Sequence, residues 1–265
     1  MSALLPTRMV EKPWGRDVLP APFVAPPGQR IGEIWFEPPP ALPQLLIKYI
    51  FTSEKLSVQV HPSDAQLPGH GKEECWLVID AEPGATLGIG FRQAIGAEAM
   101  RAAALDGSIE QLLVWYPVRA GDFFYIPANT VHAIGAGVSL IELQQTSEVT
   151  YRLYDYGRPR ELHLDEGIAV ARGEPHSLAF RKHLRGSGAA SLVNGPLFRL
   201  NRVDGAPDAS TCEGYGTAPV LAIPLDQSVT IGGEAIAPGS CGISSSLAAI
   251  DFANDGLCLI AQPCK

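Results

Sequence analysis

The chain has 265 residues, 46% of them hydrophobic and 18% charged, a balance that buries a core and excludes a disordered polymer. Its length exceeds the usual single-domain range of about 100–200 residues, which points to two domains or one large β unit. A net charge of −8 without a basic block excludes a nucleic-acid backbone as partner, and no apolar run reaches the roughly 18 residues a membrane helix needs.

The five cysteines, Cys75, Cys212, Cys241, Cys258 and Cys264, form no CxxC pair and fit neither a disulfide framework nor a zinc knot. At the start, Ala3-Leu4-Leu5 before Pro6 is too short a run for a signal-peptide core. The expectation is a soluble, reduced, cytoplasmic protein. With 27 glycines and 23 prolines, its strands should be short and joined by turns.

In chain order, Ile31–Glu37 and Leu45–Thr52 read as strands. Leu56–His61 alternates, with Leu56, Val58 and Val60 on one face and Ser57, Gln59 and His61 on the other. Glu74–Asp80 follows a turn-rich loop over Pro62–Lys72. The run Glu98–Leu105, stopped by Gly107, is a strong helix former, and Ser108 opens a second short helix. Strands resume at Asp122–Ile126, Val138–Gln145 and Val149–Tyr154. After an aperiodic Gly/Ser/His-rich stretch, further strands are expected near Phe198–Val203, Val220–Pro224, Ser228–Ile231 and Leu257–Ala261. The spacing suggests a jelly roll or barrel.

Three segments carry chemistry. Gly121-Asp-Phe-Phe-Tyr-Ile-Pro127-Ala-Asn129-Thr-Val-His132 reads as a strand, a hairpin and a return strand that begins with a histidine. Gln59-Val-His61 sets two ligand-type side chains at i and i+2, about 6–7 Å apart on one face of a strand. Gly71-Lys72-Glu73-Glu74 puts a carboxylate at the head of the next strand. Gln59, His61, Glu74 and His132 make a mixed nitrogen and oxygen set that suits zinc, and also manganese, iron or nickel. Lys48, among Leu45, Leu46, Ile47, Tyr49 and Ile50, is not a solvated lysine by its surroundings. Cys75 faces opposite to Glu74 and reads as core filler, and His70 as a solvated loop residue.

The Gly121–His132 spacing resembles the second signature motif of cupins. Together with Glu11-Lys-Pro-Trp14-Gly15, Gly32-Glu33-Ile-Trp35, Gln59-Val-His61-Pro, Gly71-Lys72-x-Glu74-Cys-Trp and Tyr151-Arg152-Leu-Tyr-Asp-Tyr156, it resembles the short bacterial form of the type I mannose-6-phosphate isomerases. The likeness runs from about Val10 to Gly167. It implies an all-β cupin, that is, a jelly-roll β-barrel, with a short helical insertion. The implied organisation is a metal-binding catalytic domain over residues 1–172, a linker over 173–191 and a small, degenerate cupin-like β-domain over 192–265.

The same resemblance implies one Zn2+ per chain on Gln59, His61, Glu74 and His132, with other divalent metals possible. It makes Arg152, Lys48, Lys72 and Glu142 catalytic, and Ser57, Lys72 and Arg152 substrate-binding. The substrate implied is a phosphorylated hexose, mannose-6-phosphate, converted to fructose-6-phosphate through an enediolate by a monomer or homodimer. Burial and a neighbouring cation would lower the pKa of a lysine base from about 10.4. This chain departs from the longer enzymes in three ways: Gly71 stands where they carry His, Glu148 where Asp is usual, and their helical domain is absent. Two other readings are a metal-dependent cupin epimerase or dioxygenase and a sugar-binding regulatory cupin without turnover. The first usually shows His-x-His in place of Gln59-Val-His61, and the second would lack a metal ligand, Lys48 or Arg152.

Overall fold

A computed structural model describes residues 2–264. In chain order the first strands are β1 (Thr7–Arg16), β2 (Ile31–Phe36), β3 (Leu45–Phe51), β4 (Val58–Val60), β5 (Glu74–Ala81) and β6 (Thr86–Phe91). Helices α1 (Ala97–Asp106) and α2 (Ile109–Leu112) lead into β7 (Leu113–Pro117), β8 (Asp122–Ile126), β9 (His132–Ile134), β10 (Val138–Gln145) and β11 (Tyr151–Tyr154). Helix α3 (Leu164–Val170) and β12 (Arg181–His183) follow. The remainder holds β13 (Ala190–Asn194), β14 (Phe198–Asp204), helix α4 (Ala209–Tyr215), β15 (Val220–Pro224), β16 (Val229–Ile231), β17 (Glu234–Ile236), β18 (Gly242–Ser244), β19 (Ile250–Asp251) and β20 (Leu257–Pro263).

A seven-stranded sheet runs β1-β2-β3-β10-β5-β8-β12 and a five-stranded sheet runs β11-β4-β9-β6-β7. Trp76, Leu140, Ile50 and Phe124 of the first pack against Leu87, Ile89 and Ile134 of the second, so the two sheets face each other over a shared core. The expected barrel does not form. Among the described residues no strand of one sheet pairs with a strand of the other, and each sheet keeps two free ends. The end strand β1 pairs even with β2 irregularly, with register shifts at Val10/Glu11 and Glu11/Arg16. The all-β class and the helical insertion stand, but the architecture is a pair of open, facing sheets.

The strands after β12 build a five-stranded sheet, β13-β14-β20-β15-β18, and a three-stranded one, β17-β16-β19. Phe198, Leu200, Leu259 and Ala261 of the larger sheet share one apolar cluster with Ile34, Phe36, Ile47, Tyr49, Phe51, Cys75 and Leu77. The seven-stranded sheet is therefore packed on both faces, and every residue of β3 is buried. Side chains alternate along a strand, so Leu45, Ile47, Tyr49 and Phe51 fill the outer cluster while Lys48 faces inward. The same parity sends Ile141 and Leu143 of β10 outward and Glu142 and Gln144 inward. On β5 it sends Cys75 and Leu77 outward and Glu74 and Trp76 inward.

Candidate metal centre and active site

Register brings these inward groups side by side. Glu142 is paired across the sheet with Lys48 on one side and Trp76 on the other, and Gln144 with Glu74. From the facing sheet, Gln59 on β4 is paired with His132 on β9, and His61 follows β4 directly. Asn129, at φ 74°, makes the left-handed corner of the Pro127–His132 turn. Its backbone N–H donates to His61 O at 2.8 Å, which ties the two histidine-bearing segments together.

His61, Glu74 and His132 are buried, and their ligand atoms all lie within 4.8 Å of one another. His61 Nδ1 donates to Val149 O and His132 Nδ1 to Thr130 O, each at 2.9 Å. Those bonds fix both tautomers and leave each Nε2 lone pair facing the centre. Nε2 of His61 lies 3.5 Å from Glu74 Oε2, and Nε2 of His132 lies 3.4 Å from Glu74 Oε1.

Burial, with Lys72 nearby, holds His61 well below its ordinary value; burial likewise takes His132 down to about 4 against the opposing bond to Thr130. Both rings are neutral at pH 7, the form that ligates metals. Glu74 Oε1 is buried and has no hydrogen-bond partner. An orphaned carboxylate oxygen beside one imidazole, with the second imidazole on the carboxylate's other oxygen, is an arrangement a cation relieves, so these three residues can hold a metal ion. Gln59 stands beside them, with Nε2 3.2 Å from His132 Nε2 and Oε1 accepting from Ser57 Oγ at 3.2 Å. The two ends of a carboxamide are isosteric, and a half-turn presents the oxygen to the same point.

Two buried lysines border the cluster. Lys72 Nζ donates to Glu74 Oε2 at 2.6 Å and lies 3.9 Å from Glu142 Oε1. Burial works against its charge, but Glu142 and Glu74 outweigh that and raise its pKa. Lys48 Nζ donates to Glu142 Oε1 at 3.1 Å and to Gln144 Oε1 at 2.5 Å. Glu142 completes its own set by accepting from Trp76 Nε1 at 2.9 Å. Burial alone would raise Glu142, but Lys72 and Lys48 bring it down to about 2. Glu74 moves the other way, raised by burial and by the neighbouring Glu142.

A cavity of about 370 Å³ opens above this cluster. Lys48, Ser57, Gln59, Lys72, Glu142 and Arg152 line it, while His61, Glu74 and His132 are not on its walls. Arg152, on β11 opposite Gln59, is half-buried, and its Nη1 donates to Glu161 O at 3.3 Å. Further side chains on the walls are Lys12, Glu33, Trp35, Arg160 and His163; the first three fall in motifs quoted above but were given no role, and the last two were not singled out from the sequence. Trp35 carried a usable signal, because an aromatic residue inside an inward-facing strand pattern belongs to the interior. Arg160 carried none, since its place depends on the buried Asp155, which accepts from its Nε at 2.6 Å.

Gly71 has a local cause. A Cβ there would lie 2.4 Å from the backbone nitrogen of Asp64, where the loop folds back on itself. No side chain fits at that point. His70 is exposed, and Cys75 is a buried thiol of the outer cluster.

No family model matches the chain. It is 40% identical over 168 residues to a mannose-6-phosphate isomerase of Streptococcus mutans, covering 59% of this chain and 53% of that protein. It is 43% identical over 137 residues to a mannose-6-phosphate isomerase of Bacillus subtilis, covering 48% of this chain and 43% of that one. The chain thus spans about half the length of the curated relatives it matches. In fold it is similar to the crystal structure of the mannose 6-phosphate isomerase from Bacillus subtilis, with a TM-score of 0.74 at 22% identity over 99% of this chain and 100% of that one. A variant phosphomannose isomerase from Salmonella typhimurium gives a TM-score of 0.74 at 12% identity, covering 99% of each chain.

Proposed function

We propose that this chain is a type I mannose-6-phosphate isomerase of the cupin superfamily and interconverts mannose-6-phosphate and fructose-6-phosphate. The observation that carries the reading is the cluster of His61, Glu74 and His132, with ligand atoms within 4.8 Å of one another and one carboxylate oxygen unpartnered, next to a cavity lined by Lys48, Lys72 and Arg152. We assign zinc to that point, one ion per chain, with Gln59 as the fourth ligand. A bound divalent cation supplies positive charge that polarises the C1 and C2 oxygens of the sugar.

The side chains divide the remaining work. Isomerisation moves one proton between C2 and C1 by way of an enediolate, and a base must reach the carbon-bound proton. Lys72, raised in pKa by its two carboxylates, stays cationic and holds a substrate oxygen. Lys48, at the cavity wall on the other side of Glu142, is assigned the proton transfer. Glu142 keeps both lysines in place. Arg152 takes the phosphate, with its several donors suited to an anion, and Ser57 steadies Gln59 and the sugar. The division at residues 172 and 192, the cytoplasmic setting and a monomeric or homodimeric state belong to the same proposal.

The test is to load the purified protein with Zn2+, add mannose-6-phosphate and follow fructose-6-phosphate. Formation of the ketose supports the reading. A fully metallated, folded protein that neither converts nor binds the sugar phosphate overturns it.

A further inference from the structure

We infer that Gln144 is a positioning residue for Lys48, an inference that rests on the assignment of Lys48 to the active site. Gln144 is completely buried on the inward face of β10. Its Nε2 donates to Gln145 O at 2.7 Å and to Ser147 O at 2.8 Å, both in the chain that leaves the strand. Two carbonyl acceptors occupy the nitrogen end, so the amide cannot turn without setting oxygen against oxygen. Oε1 is thereby aimed at Lys48 Nζ, 2.5 Å away.

Lys48 has donors only, and its buried ammonium needs acceptors on several sides. Glu142 Oε1 supplies one at 3.1 Å and Gln144 Oε1 a second. The face of Trp35, with its ring centre 4.5 Å from Nζ, closes a third side by cation–π attraction. Trp35 is the cross-strand neighbour of Lys48 on β2 and is itself fixed by donating from Nε1 to Glu33 Oε2 at 2.5 Å. The ammonium is held at three points at the wall of the cavity.

Neutrality is part of the fit. Gln144 is paired across the sheet with Glu74, and Glu142 is two residues away on the same face. A third carboxylate there would repel both and would face two carbonyl oxygens with no proton to offer. An amide satisfies Lys48 without that cost.

The experiment is proton exchange at the lysine ammonium groups, read by 1H–15N correlation spectra of the purified protein and assigned with Lys48→Arg and Lys72→Arg. A buried, hydrogen-bonded ammonium exchanges slowly, so wild-type Lys48 should give a resolved signal. Gln144→Met, close in volume but without the acceptor, should speed its exchange by about tenfold or more while leaving the Lys72 signal in place. In turnover, the same variant should lower kcat by about tenfold with KM for mannose-6-phosphate within twofold. Should Gln144→Met not fold, Gln144→Asn serves, because it keeps an amide but is one methylene too short to span both carbonyls and Nζ.

An unchanged Lys48 signal in the variant overturns the inference. So does simultaneous loss of the Lys48 and Lys72 signals, which would mark a general disturbance of the sheet. If the wild type shows no isomerase activity, the proposed function fails, yet the ammonium signals still decide whether Gln144 holds Lys48.

Discussion

Lys72 binds Glu74 through one carboxylate oxygen only, Oε2 at 2.6 Å, and leaves Oε1 buried without a partner. The lysine neutralises the carboxylate while the second oxygen stays available beside His132 Nε2, 3.4 Å away. Adjacent Glu73 points away: it accepts from Tyr125 Oη, and its backbone N–H is held by Gln145. Glu74→Gln should therefore lose bound metal, and Glu73→Gln should keep it. Metal content measured after gel filtration checks both, and the reverse result would mean that the ligand is the neighbouring residue.

Removing Lys72 should be expensive in stability. Its ammonium stands between Glu74 and Glu142, both fully buried, and a methionine there leaves two carboxylates facing each other. Breaking a buried ion pair by deleting one partner costs about 3–5 kcal/mol. Lys72→Met should lower the urea midpoint of the metal-free protein accordingly. The partly exposed ammonium of Lys12 lies 3.5 Å from Glu33, and Lys12→Met should cost less than about 1 kcal/mol and shift the midpoint correspondingly less.

Acid should destabilise the metal-free protein in a definite window. The folded pKa of Glu142 lies at about 2, below its ordinary 4.5. Between those values the unfolded chain binds the proton more readily, so stability present above pH 4.5 is lost as pH falls toward 2. His132, folded at about 4 against 6.5, acts in the same direction from pH 6.5 down to 4. Glu74 opposes it there, because its raised pKa favours the folded state as the proton is taken up. Below pH 4 Glu142 and His61, which burial holds well below its ordinary value, act in the same direction. Urea midpoints at pH 4 and pH 3 should show the fall in the wild type, and Glu142→Gln should make it shallower.

Kinetics should separate Arg152 from Lys48. Arg152 is half-buried, and among the described residues its guanidinium is anchored only by the carbonyl of Glu161 at 3.3 Å, which leaves further donors for an anion. Hydrogen bonds to charged groups contribute about 1.5–3 kcal/mol, so Arg152→Ala should weaken mannose-6-phosphate binding by roughly ten- to a hundredfold and also slow turnover. Bound metal should be unaffected. Lys48→Ala should mainly lower kcat. A Lys48 variant that raises KM alone would remove that residue from proton transfer.

Much of the candidate site could be read from the chain because Gln59, Glu74, His132 and Glu142 sit at strand positions with strict alternation. Asp122–Ile126 and Val138–Gln145 have the expected bounds, and Glu74–Asp80 and Leu45–Thr52 differ from β5 and β3 by one residue. The misses have local causes. β1 is largely exposed, carries Pro13 and is broken by its irregular pairing, so it shows no clean period. β6 goes unassigned because Gly88 and Gly90 interrupt its apolar run. Gly90 is required there: at φ +66° a Cβ would lie 2.5 Å from the backbone nitrogen of His176. Helix α3 is hidden by Gly167, where a Cβ would meet Leu153 Cδ2 at 2.6 Å, so the helix lies close against β11. Sheet closure is a property of edges, and motif spacing within the strands carries no information about it.

The two-faced packing of β3, β5 and β10 also limits how this chain can change over time. Along these strands the odd and even positions serve different masters, grease toward the C-terminal sheet and charge toward the cavity. Inserting or deleting a single residue inside β10 would exchange the two sets, burying Glu142 and Gln144 in apolar surroundings and turning Leu143 onto the lysines. Such indels should be purged from these strands, while substitutions that respect parity survive. Length variation among descendants of this sequence should therefore collect in the connections, such as 17–30 and 184–189, and leave the three central strands unaltered in count.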